Sequence, residues 1–92
     1  MSENKINRDM IKEVYQLLAK VDNEEDMELL LKDLCTNKEV EQMAQRIIAA
    51  KLLLEGKTYN QVIEKTDISS ATLSRVSSAV KYGEGYKKYL KQ

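Results

Sequence analysis

The stretch that decides the fold is TYNQVIEKTDISSATLSRVSSAVKY, residues 58–82. Thr58 followed by Gln61 is the capping-box signature that opens a helix. Asp67 stands where the chain must turn sharply, and its short side chain tolerates a left-handed backbone. Ser69 can then cap a second helix by accepting backbone N–H bonds. The pattern predicts two short helices joined by a tight turn, a helix-turn-helix.

The second helix, predicted over residues 70–82 after a first over 59–66, has two different faces. Leu73, Val76 and Val80 recur at i, i+3 and i+7, which predicts one inward stripe. The opposite face is predicted to carry Ser70, Ala71, Ser74, Ser77 and Lys81. Small, hydroxylated side chains let a helix approach DNA bases and phosphates closely. The pattern favours DNA binding, although an ordinary αα-corner or a protein-binding module would share the spacing.

Composition excludes several classes of protein. The 92 residues fit one helical domain over 1–92, and the lone Cys35 permits no internal disulfide and suits a reducing cytoplasm. The sequence has no histidine and no glycine-rich phosphate loop, so we expect no metal site, no cofactor and no enzyme activity. No apolar segment approaches the ~18–20 residues of a membrane span. We therefore expect a cytoplasmic protein without a membrane partner.

The charges cancel overall but are segregated along the chain. Residues 1–45 contain six Lys/Arg and eleven Asp/Glu, a balance of −5, whereas residues 46–92 contain nine and four, a balance of +5. The basic half includes the predicted helix-turn-helix. Such polarity suits one oriented face that meets DNA, although the N-terminal acids could simply be solvated helix surface.

The rest of the chain is predicted to be helical as well. The helices are expected over residues 7–21, 24–35 and 37–55, with a short sixth over 85–91. Ile47 to Leu54 reads IIAAKLLL, and a helix that is apolar on every side must be buried on every side. A homodimer built on residues 1–56 would bury it, leaving 57–82 as the helix-turn-helix and 83–92 as a tail. The alternative is a monomer whose first two helices cover the third.

Two segments carry a family resemblance. LCTNKEVEQMAQRIIAAKLLLEGKTYNQVI, residues 34–63, and SSATLSRVSSAV, residues 69–80, resemble the Trp repressor family and, within it, the YerC/YecD-type branch. The resemblance implies an intertwined, six-helix homodimer that represses transcription and reads the operator major groove with residues 70–82. The alternative function is a helical dimeric module whose helix-turn-helix docks on a protein partner.

The resemblance also assigns roles to individual residues. It places Ser70, Ala71, Thr72 and Ser74 at positions that read bases and phosphates, although Thr72 could equally pack its methyl group. The expected phosphate anchors are Lys57, Gln61, Lys65, Arg75 and Lys81. Gln61 and Glu64 stand where the family's founder has basic residues. We therefore expect an operator sequence different from the founder's.

Three residues match the family's corepressor pocket: Thr36, Arg46 and Arg75. In the family, the two arginines flank a planar ring and hold a carboxylate, which suits their flat guanidinium groups. Val76, however, stands where the family has a glycine beside that ring, and Ala79 replaces a hydroxyl residue that helps to hold the amino group. We therefore predict a small-molecule effector other than tryptophan, if any. The alternative for both arginines is a surface salt bridge and a phosphate contact.

The tail, KYGEGYKKYLKQ over residues 81–92, places three tyrosines among four lysines. Tyr86 and Tyr89 are spaced i, i+3, which favours a short helix docked on the core with its hydroxyl groups in water. The alternative is that these aromatic and basic side chains stack on single-stranded bases or drape over DNA.

Overall fold

The computed structural model describes residues 2–91, and side chains from residue 7 onward. Over these residues the chain forms six α-helices and no strand, which confirms the all-α prediction. The helices are α1 (Ser2–Leu18), α2 (Glu24–Leu34), α3 (Asn37–Leu54), α4 (Tyr59–Thr66), α5 (Ser70–Tyr82) and α6 (Gly85–Leu90). None of these described helices is long and apolar enough to span a membrane. Met1 and Gln92, the ends of the predicted domain, lie outside the described residues.

The chain divides into two compact units, Met1–Thr36 and Asn37–Gln92. The first contains α1 and α2, and the second contains the other four helices. The sequence predicts a division at residues 56 and 57 by function, into dimerisation helices and helix-turn-helix. That division does not concern packing, and it stays a prediction.

In the first unit, α1 begins five residues earlier than predicted and ends three residues earlier. It ends early because the N–H of Val21 donates to the carbonyl of Leu18 in a tighter turn. Asn23 caps α2, since its Oδ1 accepts from the Asp26 N–H at 2.8 Å, and three acids follow in the first turn. Acidic groups at this end interact favourably with the helix dipole.

The core of the second unit is small and built around α3. Its buried apolar residues are Ala49, Ala50, Val62, Ile68, Leu73 and Val76. The two alanines come from α3, which packs against α4, α5 and α6. Their short side chains let α4 and α5 approach the α3 backbone closely. Helix α3 is thus the support on which the helix-turn-helix rests.

Gly56 ends α3 and redirects the chain into α4. Its φ is +89°, a left-handed conformation that glycine adopts without a Cβ penalty. The Gly56 N–H donates to the carbonyl of Leu53, and the Lys57 N–H donates to the carbonyl of Leu52, both at 3.0 Å. These paired bonds are those of a Schellman motif, so the prediction that Gly56 follows the helix end is confirmed.

Candidate nucleic-acid interface

The start of α4 is fixed by a complete capping box. Thr58 Oγ1 accepts from the Gln61 N–H at 3.2 Å, and Gln61 Oε1 accepts from the Thr58 N–H at 2.9 Å. This confirms the sequence prediction for both residues. The bond occupies Oε1 of Gln61, and the N–H groups of the same side-chain amide can donate to a further acceptor.

The turn between α4 and α5 has the predicted geometry. Asp67 lies in the left-handed region, with φ 60° and ψ 22°, and its N–H donates to the carbonyl of Ile63. Ile68 follows it into the core and is 3% exposed. Ser69 Oγ accepts from the Thr72 N–H at 3.2 Å, which caps α5. The turn is therefore held by a helix cap on each side and by one buried side chain between them.

A polar contact that the sequence did not indicate ties this turn to α3. Gln45 Nε2 donates to the carbonyl of Thr66 at 3.1 Å. Thr66 Oγ1 in turn donates to the carbonyl of Val62 at 2.7 Å and accepts from the Ile68 N–H. Only the folded chain brings Gln45 and Thr66 together, because they are 21 positions apart. The chain of bonds fixes the end of α4 relative to the supporting helix.

Helix α5 buries one stripe and exposes another. Leu73 and Val76 are buried and Val80 is half-buried, as predicted. The prediction for Ser77 is wrong: this serine is 7% exposed and belongs to the buried stripe. The physical reason is helical geometry, because position 77 is four residues after Leu73 and therefore on the same face. Residue type suggested an outward position that the spacing does not allow.

The exposed face of α5 contains most of the predicted contact residues. Exposed on this helix are Ser70, Ala71, Ser74, Arg75, Ser78, Lys81 and Tyr82. Ser78 was missed, although its position four residues after Ser74 was a readable signal. Thr72 is half-buried, and its Oγ1 accepts from Ser69 Oγ at 2.9 Å, so its hydroxyl is part of the cap. On and before α4, Lys57, Gln61 and Lys65 are exposed as well.

A cleft of about 450 Å³ opens beside this face, between α3, α5 and α6. It is lined by Arg46, Ala71, Thr72, Arg75, Val76, Ala79 and Tyr86. Three of the predicted pocket residues, Arg46, Arg75 and Val76, thus lie together in its wall. Thr36, the fourth, lies in the first unit and is exposed. Neither Arg46 nor Arg75 forms an ion pair with a described side chain of the same chain, and the role of both arginines stays a prediction.

The comparison with protein families agrees with this geometry. A family described as Trp repressor protein matches residues 9–92, almost the whole chain. The chain belongs to the Trp repressor family. The protein YerC of Bacillus subtilis is 39% identical to it over 75 residues, which cover 78% of this chain and 72% of YerC. The predicted resemblance, including the YerC-type branch, is confirmed.

Solved structures show the same fold. A candidate Trp repressor from Staphylococcus aureus superimposes with a TM-score of 0.83 at 28% identity, covering 98% of this chain and 91% of that one. A TrpR like protein from Eubacterium eligens gives 0.81 at 32% identity, with 92% and 89% covered. Trp repressor-like proteins are helix-turn-helix regulators of transcription rather than enzymes. This membership confirms the prediction that the chain is not an enzyme.

The two residues at which the resemblance implies a departure from the Trp repressor family pattern lie in the wall of the cleft. Val76 and Ala79 both line it, and Val76 is at the same time 3% exposed and part of the core. The branched side chain is therefore held by its neighbours in the place where the resemblance implies a glycine. Ala79 contributes a methyl group to the wall and no hydroxyl.

The three tyrosines of the tail differ in their exposure to solvent. Tyr86 is half-buried and packs on the core together with Leu90, which holds the short helix α6 in place. Tyr82 and Tyr89, in contrast, are 84% and 79% exposed. The predicted docking of the tail is therefore correct for Tyr86 and wrong for Tyr89. Leu90, four residues after Tyr86, shares the side of α6 that packs on the core, and Tyr89 lies at the edge of that side with its ring in solvent.

Proposed function

We propose that this member of the Trp repressor family is a sequence-specific double-stranded DNA-binding repressor that acts in the cytoplasm as a homodimer. Helix α5 would enter the major groove. The observation that carries the proposal is the exposed face of α5, which combines small side chains with a rigid buried stripe on the opposite side. A recognition helix needs both features, because it must come close to the bases without changing its orientation.

The outward residues divide by the kind of contact that each can make. Ser70, Ala71 and Ser74 lie in the first turns of α5 and are our candidates for base contacts, with Thr72 beside them. Residues in the first turns of a recognition helix are those that reach base edges. The candidates for phosphate contacts are Lys57, Gln61, Lys65, Arg75 and Lys81, all of them exposed. Such contacts position the protein without reading sequence.

The charge distribution supports this orientation. Residues 37–92 contain ten Lys/Arg and six Asp/Glu, a balance of +4, whereas residues 1–36 contain five and nine, a balance of −4. The unit that contains the helix-turn-helix is thus the positive one. Long-range attraction to phosphates would bring this unit, rather than the acidic one, to the DNA.

Exposed apolar side chains support the homodimer. On α1, Met10, Val14 and Tyr15 are each more than two-fifths exposed, and on α3 the same holds for Ile47 and Ile48. Large apolar side chains left exposed in this number favour an interface in each unit. A second copy of the chain would cover them in an intertwined arrangement and enlarge a core that is small in one chain.

The residues that line the cleft favour a small-molecule effector other than tryptophan. Arg46 and Arg75 could hold a carboxylate or another small anion between them. The space beside them is narrowed by Val76, whose branch is fixed at Cβ. An ammonium group placed near Ala79 would lose a hydrogen-bond partner, which costs about 1–3 kcal/mol when the group is buried.

Fluorescence anisotropy with labelled duplexes tests the function. Binding of wild-type protein to a random-sequence duplex is measured at two salt concentrations. We expect affinity to fall as salt rises, because each neutralised phosphate releases counterions. A protein-interaction module would show no salt-dependent binding to DNA, and that result would contradict the proposal.

A further inference from the structure

Helix α6 packs with one of its sides on the rest of the second unit. Tyr86 and Leu90 pack on the core, and Gly83 makes the preceding turn. A Cβ at position 83 would lie 2.7 Å from the carbonyl oxygen of Ala79, so only glycine lets the chain turn this closely. Six residues would not form a stable helix alone, and these contacts fix where its outward side lies.

The outward side of α6 and the end of α5 form a basic and aromatic surface. We define the α6 patch as Lys81, Tyr82, Lys87, Lys88 and Tyr89, all of which are exposed. The function proposed above uses Lys81 alone among these five. Glu84 is the one acidic residue between positions 81 and 91. The patch therefore combines three lysines with two exposed tyrosines.

Two contacts position the lysine side chains of α6. Lys87 Nζ donates to the carbonyl of Lys81 at 2.8 Å, which places its ammonium group on the last turn of α5. That end of a helix attracts cations, and the ammonium retains two further donors. Lys88 Nζ lies 5.6 Å from the centroid of the Tyr89 ring, within cation–π range. Lys87 thus places an ammonium group at the end of α5, and Lys88 lies beside the ring of Tyr89.

We propose that the α6 patch binds backbone phosphates of double-stranded DNA next to the base pairs that α5 reads. This inference rests on the proposed function, and it extends the DNA-binding surface beyond the helix-turn-helix. In the homeodomain form of the helix-turn-helix the C-terminal end of the recognition helix contacts the DNA backbone, and the same placement of α5 would bring the patch beside phosphates. The lysines would supply charge, and the phenol groups of Tyr82 and Tyr89 would donate hydrogen bonds to phosphate oxygens. None of these contacts would read sequence.

The test compares two double variants of the full chain. Lys87→Ala/Lys88→Ala removes two charges from the patch, and Lys20→Ala/Lys32→Ala removes two from exposed positions in the first unit. Each lost phosphate contact lowers the slope of log K against log salt by about 0.9, so we expect a decrease of about 1.8 per subunit for the first variant. The control variant should retain the wild-type slope. A selected duplex and a random duplex should be weakened by the same factor.

The outcomes separate this inference from the proposed function. If wild-type protein binds duplex DNA and the patch variant keeps its slope and affinity, the patch proposal is wrong while the proposed function stands. If wild-type protein does not bind duplex DNA, both are wrong. A variant that loses binding to single-stranded DNA but keeps duplex binding would assign the patch to single strands and overturn the proposal. Circular dichroism checks that both double variants keep their helices. A further variant, Tyr89→Ala, changes no charge, so it should weaken binding to DNA without changing the salt slope.

Discussion

One substitution made at two serines of α5 distinguishes its buried side from its exposed side. Ser77 is 7% exposed and lies on the stripe of Leu73 and Val76, whereas Ser74, less than one turn away, is exposed. Ser77→Glu must either bury a carboxylate among apolar side chains or move α5 away from α3. Ser74→Glu adds the same charge in water.

The expected magnitudes differ greatly. A buried charge without a partner destabilises a protein by about 3–5 kcal/mol. In a domain of this size 1 kcal/mol shifts Tm by about 4–8 °C, so Ser77→Glu should lower Tm by at least about 12 °C. Surface substitutions usually change stability by less than about 0.5 kcal/mol, so Ser74→Glu should keep the wild-type Tm. Ser77→Ala, which keeps the small volume, serves as the control and should also melt like wild type.

Two assays distinguish the Ser77→Glu and Ser74→Glu variants. Thermal denaturation followed by circular dichroism, at equal protein concentration, measures the stability of each variant. Anisotropy with a duplex then measures DNA binding below the melting range. Ser74→Glu should abolish binding because its carboxylate faces phosphates, although its helix content is normal. Equal Tm values for the two glutamate variants, or normal DNA binding by Ser74→Glu, would refute the assignment of the two faces of α5.

Three further perturbations test other parts of the structure. Ile48→Glu should dissociate or unfold the dimer, because it puts a charge into an apolar interface; sedimentation of wild-type protein at 10.6 kDa, the mass of one chain, would contradict the dimer. Calorimetry with millimolar L-tryptophan should give no saturable heat with wild-type protein, whereas the Val76→Gly variant should admit the indole ring. Binding of tryptophan to wild-type protein at micromolar concentration would show that the cleft rearranges around Val76. Gly83→Ala should lower stability by about 1–3 kcal/mol, because its Cβ would meet the Ala79 carbonyl, and an unchanged Tm would exclude that close approach.

Features that depend on a few neighbouring residues could be predicted from the sequence. The capping box of Thr58 and Gln61, the left-handed Asp67, the Ser69 cap and the Gly56 stop are all as expected. Each is decided by backbone hydrogen bonds within a few positions, and side-chain type signals them directly. The bounds of α4 and α5 followed from these signals.

Features that depend on packing could not be predicted in the same way. Ser77 is an exception, because its spacing from Leu73 would have placed it on the buried side of α5 and only its residue type indicated exposure to water. Tyr86 and Tyr89 have the same residue type, and only the direction from which α6 meets the core separates them. The bond from Gln45 to Thr66 joins distant positions and left no local signal. At the candidate site, therefore, the exposed face of α5 was largely predictable, but the contacts that hold the helix-turn-helix on α3 were not.

Selection of bound duplexes from a random pool tests the central claim most directly. A homodimer that places α5 of each subunit in the major groove should enrich one sequence with two-fold symmetry. Its half-sites should be centred about 10–10.5 base pairs, one helical turn, apart. The Ser74→Glu variant should enrich nothing. A wild-type pool that stays random after several rounds, or that converges on a site without two-fold symmetry, would contradict the account.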